Sequence, residues 1–377
     1  MSGIYIHIPF CKQACHYCNF HFSTNLKSKD LIIKSITDEI ILKAKFNKEV
    51  IETIYFGGGT PSILDLNDFE KILNSIFKNY KIGTDPEITL EANPDDLSKA
   101  KLKNLKKQSI NRLSIGVQSF VEKELKLMNR AHDSNKAIKS IEISKLIFDN
   151  ISVDLLYGLP DSSVDTLNYN IDILTKFNVN HISSYAITLE PKTALEKYVK
   201  NGLVELPDDN IVFDQFIYVN KELVANNYIN YELSSFAKPN FFSKNNTAYW
   251  KRKKYIGIGP SAHSYDGINR SWNISNNKKY VDQINSGNLY YKTEKLSKID
   301  HYNEYIMTGL RTMWGISLGY IENKFDKQFK NYFLKNVKKY VDQNLIKINN
   351  DVYKTTEHGR FLADGIASEL FMIDLSN

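Results

Sequence analysis

The strongest chemical signal is a cysteine triplet, Cys11-x-x-x-Cys15-x-x-Cys18, just beyond a short apolar run at residues 4–8. The 377 residues contain no other cysteine. An odd set confined to one short segment does not make a disulfide framework, and it points to metal or redox chemistry. Three thiolates on one tight loop can each take one iron of a [4Fe–4S] cube and leave the fourth iron without a protein ligand. An iron left open can chelate the amino and carboxylate groups of S-adenosylmethionine. Electron transfer from a low-potential cluster then cleaves the sulfonium and releases a 5′-deoxyadenosyl radical. The alternative is structural zinc, which needs a fourth ligand that His7, His16 or His21 would have to supply.

A second signal follows the next strand-like run. Gly57-Gly58-Gly59-Thr60-Pro61 lets backbone approach a ligand closely and offers it amide and carbonyl groups. Alone, such a turn could belong to any tight strand-to-helix loop. Beside the cysteine loop it argues for a cofactor site. Four polar residues then fall at or near the ends of successive strands: Glu91, Gln118, Asp154 and, twelve residues after Gln118, Arg130. Two carboxylates, an amide and a guanidinium suit one ligand bearing an ammonium, a carboxylate and a ribose diol. Arg130 suits the methionine carboxylate, Gln118 and Asp154 the ribose hydroxyls, and Glu91 the ribose or the ammonium.

These residues need a scaffold that brings strand ends together. Apolar, β-branched runs at 4–8, 53–56, 88–92, 112–117, 151–156 and 181–187 alternate with helical periodicity, as in Ile32, Ile33, Ile36 and Ile40. Asp65 is a candidate N-cap for the helix carrying Phe69, Ile72, Leu73 and Ile76. The alternation predicts βαβ units and a parallel sheet, an α/β fold in which a partial (β/α)6 TIM-like barrel places its site at the C-terminal strand ends. After residue 297 the pattern changes to amphipathic helices (305–312, 329–343), a hairpin around Asn349-Asn350-Asp351 and a last helix from Glu357. We expect residues 1–290 to form the barrel with an extension. Residues 298–377 then form a small winged-helix-like α+β domain.

Composition bounds the rest. The formal net charge of +6 is modest and scattered, and the one dense basic run, Lys251-Arg252-Lys253-Lys254, reads more readily as a solvated loop than as a nucleic-acid patch. No run approaches the length of a membrane span, and the N-terminus carries no export signal, so a cytoplasmic location is expected.

Nearly the whole chain resembles the oxygen-independent coproporphyrinogen III oxidase branch of the radical SAM superfamily, and within it the HemW group of haem chaperones. The segments are Tyr5-Ile-His-Ile-Pro-Phe-Cys11, the GGGTPS run from Gly57, Leu-Glu91-Ala-Asn-Pro and Ser114-Ile-Gly-Val-Gln118-Ser-Phe. They continue through Asn129-Arg130, Asp154-Leu-Leu-Tyr-Gly-Leu-Pro160, Tyr185-Ala186, Tyr231 to Pro239, Gly257 to Ser264 and Glu304 to Arg311. The resemblance implies a [4Fe–4S] cluster on Cys11, Cys15 and Cys18. It implies S-adenosylmethionine contacts from Tyr5, Gly58, Gly59, Thr60, Glu91, Gln118, Arg130, Asp154 and Ala186. It also implies haem, haem-acceptor proteins and peripheral membrane contact through an acceptor, with no catalytic residue beyond the cofactor site.

Two features separate the chain from the decarboxylating enzyme of that branch. The enzyme has a fourth cysteine two residues after the third, where this chain has Phe20. The enzyme also carries a long extension before its cysteines, whereas the first cysteine here is residue 11. Both features imply a chaperone without coproporphyrinogen dehydrogenase activity, and that activity is the alternative reading. The HemW group carries His-Asn-x-x-Tyr-Trp, linked to haem. This chain has Asn245-Asn246-Thr247-Ala248-Tyr249-Trp250, which makes Asn245, Tyr249 and Trp250 the candidate haem residues. An amide is not a usual haem ligand. His263 or Tyr249 would then be an alternative ligand, Lys251, Arg252 and Lys253 would pair with propionates, and Asn245→His would add a nitrogen ligand.

Overall fold

The computed structural model describes residues 2–290 and 292–373. Six strands follow the expected runs: β1 (Ser2–Ile8), β2 (Ile51–Gly58), β3 (Ile82–Ala92), β4 (Arg112–Gln118), β5 (Asn150–Tyr157) and β6 (His181–Ala186). They lie side by side in chain order and pair in parallel. Helices Lys29–Ala44, Leu66–Asn79, Lys99–Lys107, Ser134–Lys145 and Val164–Lys176 return the chain between them. Asp65 caps the second of these helices, its side chain accepting from the Asp68 backbone N–H at 3.1 Å.

The strands alternate in character with the two-residue period of the pleat. Ile4, Ile6, Phe56, Leu90, Leu113 and Val153 are fully buried in the core that also holds the helices' apolar faces. Their neighbours Thr53, Glu87, Thr89, Arg112, Ser152 and His181 are just as buried, but polar. Parallel sheets covered on both faces usually read as continuous apolar runs. Here one face is polar because it is the interior of an open barrel. Several of its buried groups pair with one another: Ser152 Oγ hydrogen-bonds His181 Nδ1 at 2.8 Å, and His181 Nε2 hydrogen-bonds Tyr231 Oη at 2.7 Å.

The six parallel strands are the expected barrel core, and short strands extend the sheet at both edges. The antiparallel pair β7 (Ile229–Asn230) and β8 (Ser235–Ala237) is added beyond β6. On the other edge β9 (Lys254–Ile258) runs parallel to β1, followed by antiparallel β10 (His263–Tyr265), β11 (Asn269–Trp272) and β12 (Lys292–Lys295). Among the described residues the sheet therefore has twelve strands, and β12 lies beyond the barrel boundary expected at residue 290. These added strands are only two to five residues long, too short to show a period in the sequence.

The C-terminal unit begins with the helix Lys298–Leu310 and contains a three-stranded antiparallel sheet of β13 (Ile316–Ser317), β14 (Ile346–Asn349) and β15 (Val352–Thr355), in the order β13-β15-β14. The expected hairpin is β14–β15. Its two turn residues, Asn350 and Asp351, have φ of 47° and 66°, as a two-residue type I′ turn requires. Tyr302, Ile306, Phe325, Phe329 and Phe333 form a core separate from that of the barrel.

The basic run at 251–254 is where the two units meet. The Arg252 guanidinium lies 4.7 Å from the Tyr305 ring and 5.4 Å from the Tyr320 ring, and it donates to the His301 carbonyl and to Tyr320 Oη at 3.2 and 2.8 Å. Lys251 sits 4.6 Å over Trp314. Lys251, Lys253 and Lys254 are exposed, as expected of a solvated loop, but Arg252 is a structural bridge. Among the described residues no helix is long and apolar enough to cross a membrane.

Candidate functional site

Cys11, Cys15 and Cys18 sit on the loop leaving β1, at the rim of a cavity of about 470 Å³. Thr60 Oγ1 donates to Cys11 Sγ at 3.3 Å, Arg130 Nη1 donates to Cys15 Sγ at 3.0 Å, and the Cys18 N–H donates to the Cys15 carbonyl at 3.3 Å. Burial pushes the Cys11 thiol up to about 11, a cost that bound iron reverses because a metal-ligating thiol is deprotonated outright.

The loop's shape comes from a second segment. Gln13 Nε2 donates to the Asn129 carbonyl and side-chain oxygens at 3.0 and 2.7 Å, and Asn129 Nδ2 donates to the Ala14 carbonyl at 2.8 Å. The His16 N–H donates to the Met128 carbonyl, and His16 Nδ1 bonds the Leu127 carbonyl. The peptide before Arg130 is thus fastened to the cysteine loop.

Three thiols on one loop match the three protein-held corners of a cube. Among the described residues no three His, Cys, Asp or Glu side chains group as a site for one ion. Each histidine weighed as a fourth zinc ligand has another partner: His7 Nε2 bonds the His21 carbonyl, His16 the Leu127 carbonyl, and His21 Nε2 bonds Asn277 Oδ1.

The glycine turn closes the site from β2. A Cβ on Gly58, at φ +111°, would lie 2.7 Å from the His7 ring, and one on Gly59 would lie 2.6 Å from the Phe10 carbonyl oxygen. No side chain fits at either position, and the backbone reaches the cysteine loop directly, with the Gly59 and Thr60 N–H groups donating to the carbonyls of Ile8 and Phe10.

Gly58, Gly59, Thr60, Glu91, Gln118, Arg130, Asp154 and Ala186 all line the same cavity as the cysteines. Glu91 accepts from Tyr55 Oη at 2.8 Å and from the Gly58 N–H at 3.2 Å. Burial, with the charge of Asp154 nearby, pushes its carboxyl up to about 7; burial pushes Asp154 up to about 6. Two desolvated carboxylates facing one cavity favour a cationic ligand. Gln118 has φ +74°, strained backbone at a register shift in β4 that turns its amide toward the cavity. Arg130 Nη2 donates to Asn93 Oδ1 at 2.8 Å and to the Gly116 carbonyl, while its buried Nε has no partner. The Arg130 guanidinium lines the cavity, where a cation can pair with a ligand carboxylate.

Tyr5 departs from the expected set. Its Oη lies 3.3 Å from His7 Nδ1 and its ring stacks on Tyr55, so it lines a neighbouring cavity instead. That second cavity, about 780 Å³, shares Phe20, Gly58, Glu91 and Tyr185 with the first. Its other walls carry Tyr249, Trp250, Tyr255, Arg252, Arg270 and, from the C-terminal unit, Arg311, together with the carboxylate of Glu232. His263 also lines it, stacked on Trp272.

Of the residues expected to meet haem, Tyr249 and Trp250 line this cavity and Asn245 does not. Asn245 is 3% exposed; its side-chain oxygen accepts from Thr53 Oγ1 at 3.1 Å and its N–H donates to Glu87 at 3.0 Å. The side chain is buried against β2 because it occupies the first turn of the helix Lys244–Trp250, which lies on that strand. Asn245 itself therefore faces β2, one residue away from the cavity-lining Asn246.

Sequence reasoning missed Gln13, Asn93, Asn129 and Tyr55 as positioning residues. Asn93 and Asn129 stand beside residues it chose, whereas Gln13 and Tyr55 carried no local signal.

The radical SAM superfamily profile matches residues 5–172, and that of the HemN C-terminal domain matches residues 296–362. The chain is similar to the heme chaperone HemW of Bacillus subtilis (strain 168), 33% identical over 97% of this chain and 98% of that one. It is 31% identical to the heme chaperone HemW of Lactococcus lactis subsp. lactis over 100% of this chain and 98% of that one. Among solved structures it matches the Escherichia coli coproporphyrinogen III oxidase HemN, a radical SAM enzyme, with a TM-score of 0.85 at 22% identity, over 98% of this chain and 90% of that one. At that identity the likeness concerns the fold.

Proposed function

Since the chain belongs to the HemW family of radical SAM proteins, with the [4Fe–4S] cluster and S-adenosylmethionine that the superfamily implies, we propose that it binds haem and passes it to acceptor proteins. Cys11, Cys15 and Cys18 would hold the cluster, whose chemistry when loaded is one-electron reduction of the bound sulfonium cofactor. Arg130 would hold the cofactor's carboxylate. Glu91 and Asp154 would face its cationic and hydroxyl groups, and Gln118 would hydrogen-bond the ribose.

The observation that carries the haem reading is the second cavity. Its volume is within the range of cofactor pockets, its walls are rich in aromatic rings with basic groups beside Glu91 and Glu232, and it shares walls with the cofactor site. Burial of a flat macrocycle there supplies affinity without a strong axial bond. The test is to load the reconstituted chain with haem, mix it with an apo haem protein and follow the acceptor's Soret band. Transfer faster than from free haem in the same buffer supports the reading; no transfer contradicts it.

The shared wall also suits a second reading, oxygen-independent oxidation of coproporphyrinogen III, since a substrate of that reaction must lie against the cofactor. Phe20 at the place of the enzyme's fourth cysteine argues against it. Anaerobic turnover of coproporphyrinogen III to protoporphyrinogen IX would establish the second reading in place of the first.

A further inference from the structure

A third cavity, about 520 Å³, lies at the joint between the sheet and the C-terminal unit. Lys251, Arg252, Lys253, Lys254 and Lys324 face it, against one carboxylate, Glu49, which pairs with Lys254 at 2.8 Å. Arg252, Lys253 and Tyr265 line this cleft and the large aromatic cavity alike, so the two spaces share a wall of cations.

The cations differ in their freedom. Arg252 is held by two aromatic rings, a carbonyl and a hydroxyl, and serves as a fixed charge. Lys253 and Lys324 are exposed, and neither ammonium has a hydrogen-bond or ion-pair partner among the described residues. Clustered like charges repel, and a cleft that keeps so many beside one carboxylate is suited to an anion.

We propose that this cleft is the carboxylate end of the aromatic cavity. A tetrapyrrole lying against Tyr249, Trp250 and Tyr255 turns its propionates across the Arg252–Tyr265 wall, where Lys253 and Lys324 receive them. The ligand class is therefore a planar tetrapyrrole with its carboxylates gathered on one edge, recognised by those carboxylates whether or not it carries iron. This inference rests on the haem reading above. It also places one recognition group, Lys324, on the C-terminal unit and the other, Lys253, on the barrel, so that ligand binding spans the joint.

The experiment titrates the full-length chain with haem, iron-free protoporphyrin IX and haem dimethyl ester, in wild type and in the double variant Lys253→Ala/Lys324→Ala. Neither lysine holds the fold, so the variant should keep the wild-type melting temperature. Wild type should bind haem and protoporphyrin IX alike. It should bind the diester about 5- to 10-fold more weakly, as expected for losing two partly exposed ion pairs. The double variant should lose that preference, binding haem as weakly as wild type binds the diester, and Lys324→Glu should weaken haem further. Equal binding of haem and diester by wild type, or an equal loss of both in the variant, would overturn the proposal and leave the cleft to a free anion. Failure of wild type to bind any tetrapyrrole would overturn the haem reading itself, a different result from binding that ignores the carboxylates.

Discussion

The cofactor cavity and its larger neighbour share four residues but are built in opposite ways. Every wall of the first comes from the cysteine loop or from the C-terminal end of β2 to β6 and the loops beyond them, so the register of one parallel sheet positions it. The second is assembled from β1, the late strands β9 to β11, the helix Lys244–Trp250 and, across the joint, Met307, Thr308 and Arg311. A site made from consecutive strand ends is fixed when the barrel folds. A site walled partly by a second unit depends on more than the register of one sheet.

Removing the cysteines should separate the two cavities most sharply. Replacing Cys11, Cys15 or Cys18 by Ala should abolish cluster loading, read as iron and sulfide content after anaerobic reconstitution. No spare thiol can substitute, and haem binding in the neighbouring cavity should persist. Stoichiometric zinc in place of iron in the wild-type chain would break the account. Arg130→Ala should weaken S-adenosylmethionine binding by about 1.5–3 kcal/mol, as for a lost charge-assisted hydrogen bond. It should also make the cluster more labile, because Arg130 touches Cys15 and Asn93. Unchanged titration calorimetry would mean that the cofactor lies elsewhere.

Trp250→Ala acts on the other side. It should weaken haem binding by about 1–2 kcal/mol through lost apolar contact and leave S-adenosylmethionine affinity as it was. Asn245→His should leave the Soret band unmoved, since position 245 is buried against β2. A shift to a nitrogen-ligated spectrum would show that the helix Lys244–Trp250 can turn that side chain outward.

The smallest effect is a pH dependence confined to the first cavity. Glu91 and Asp154 have folded pKa values raised to about 7 and 6, so their protonated forms prevail at low pH. Affinity for the cationic cofactor should rise with pH through 6 to 7 and flatten in Glu91→Gln. Without cofactor the sign reverses for stability. The contribution of these groups is fully present below the unfolded-state pKa near 4 and is lost as pH rises through 6 to 7. A melting temperature of the cofactor-free chain that climbs over this range relative to Glu91→Gln would contradict the assignment.

The difference in construction also decided what could be read in the sequence. Cys11 to Cys18, the glycine turn, Glu91, Gln118, Arg130 and Asp154 stand at strand ends whose apolar runs are visible, and the structure gathers them into one cavity. The polar interior was not read, because alternations such as Ile151-Ser-Val-Asp154-Leu lie inside runs whose apolar, β-branched character dominates. What escaped depends on long-range pairing: the short edge strands, the role of Arg252 as a bridge and the burial of Asn245. The last is set by a helix lying on a strand almost two hundred residues earlier in the chain, and no local spacing encodes that approach.

The most direct test of the central claim, that a cluster-and-S-adenosylmethionine cavity stands beside a tetrapyrrole cavity in one chain, is an anaerobic haem titration of the cluster-loaded, S-adenosylmethionine-bound protein followed by absorbance. The account predicts saturable binding of one haem per chain at micromolar concentration with the cluster spectrum intact. Absence of saturable binding, or haem that binds only by displacing the cluster, would contradict it.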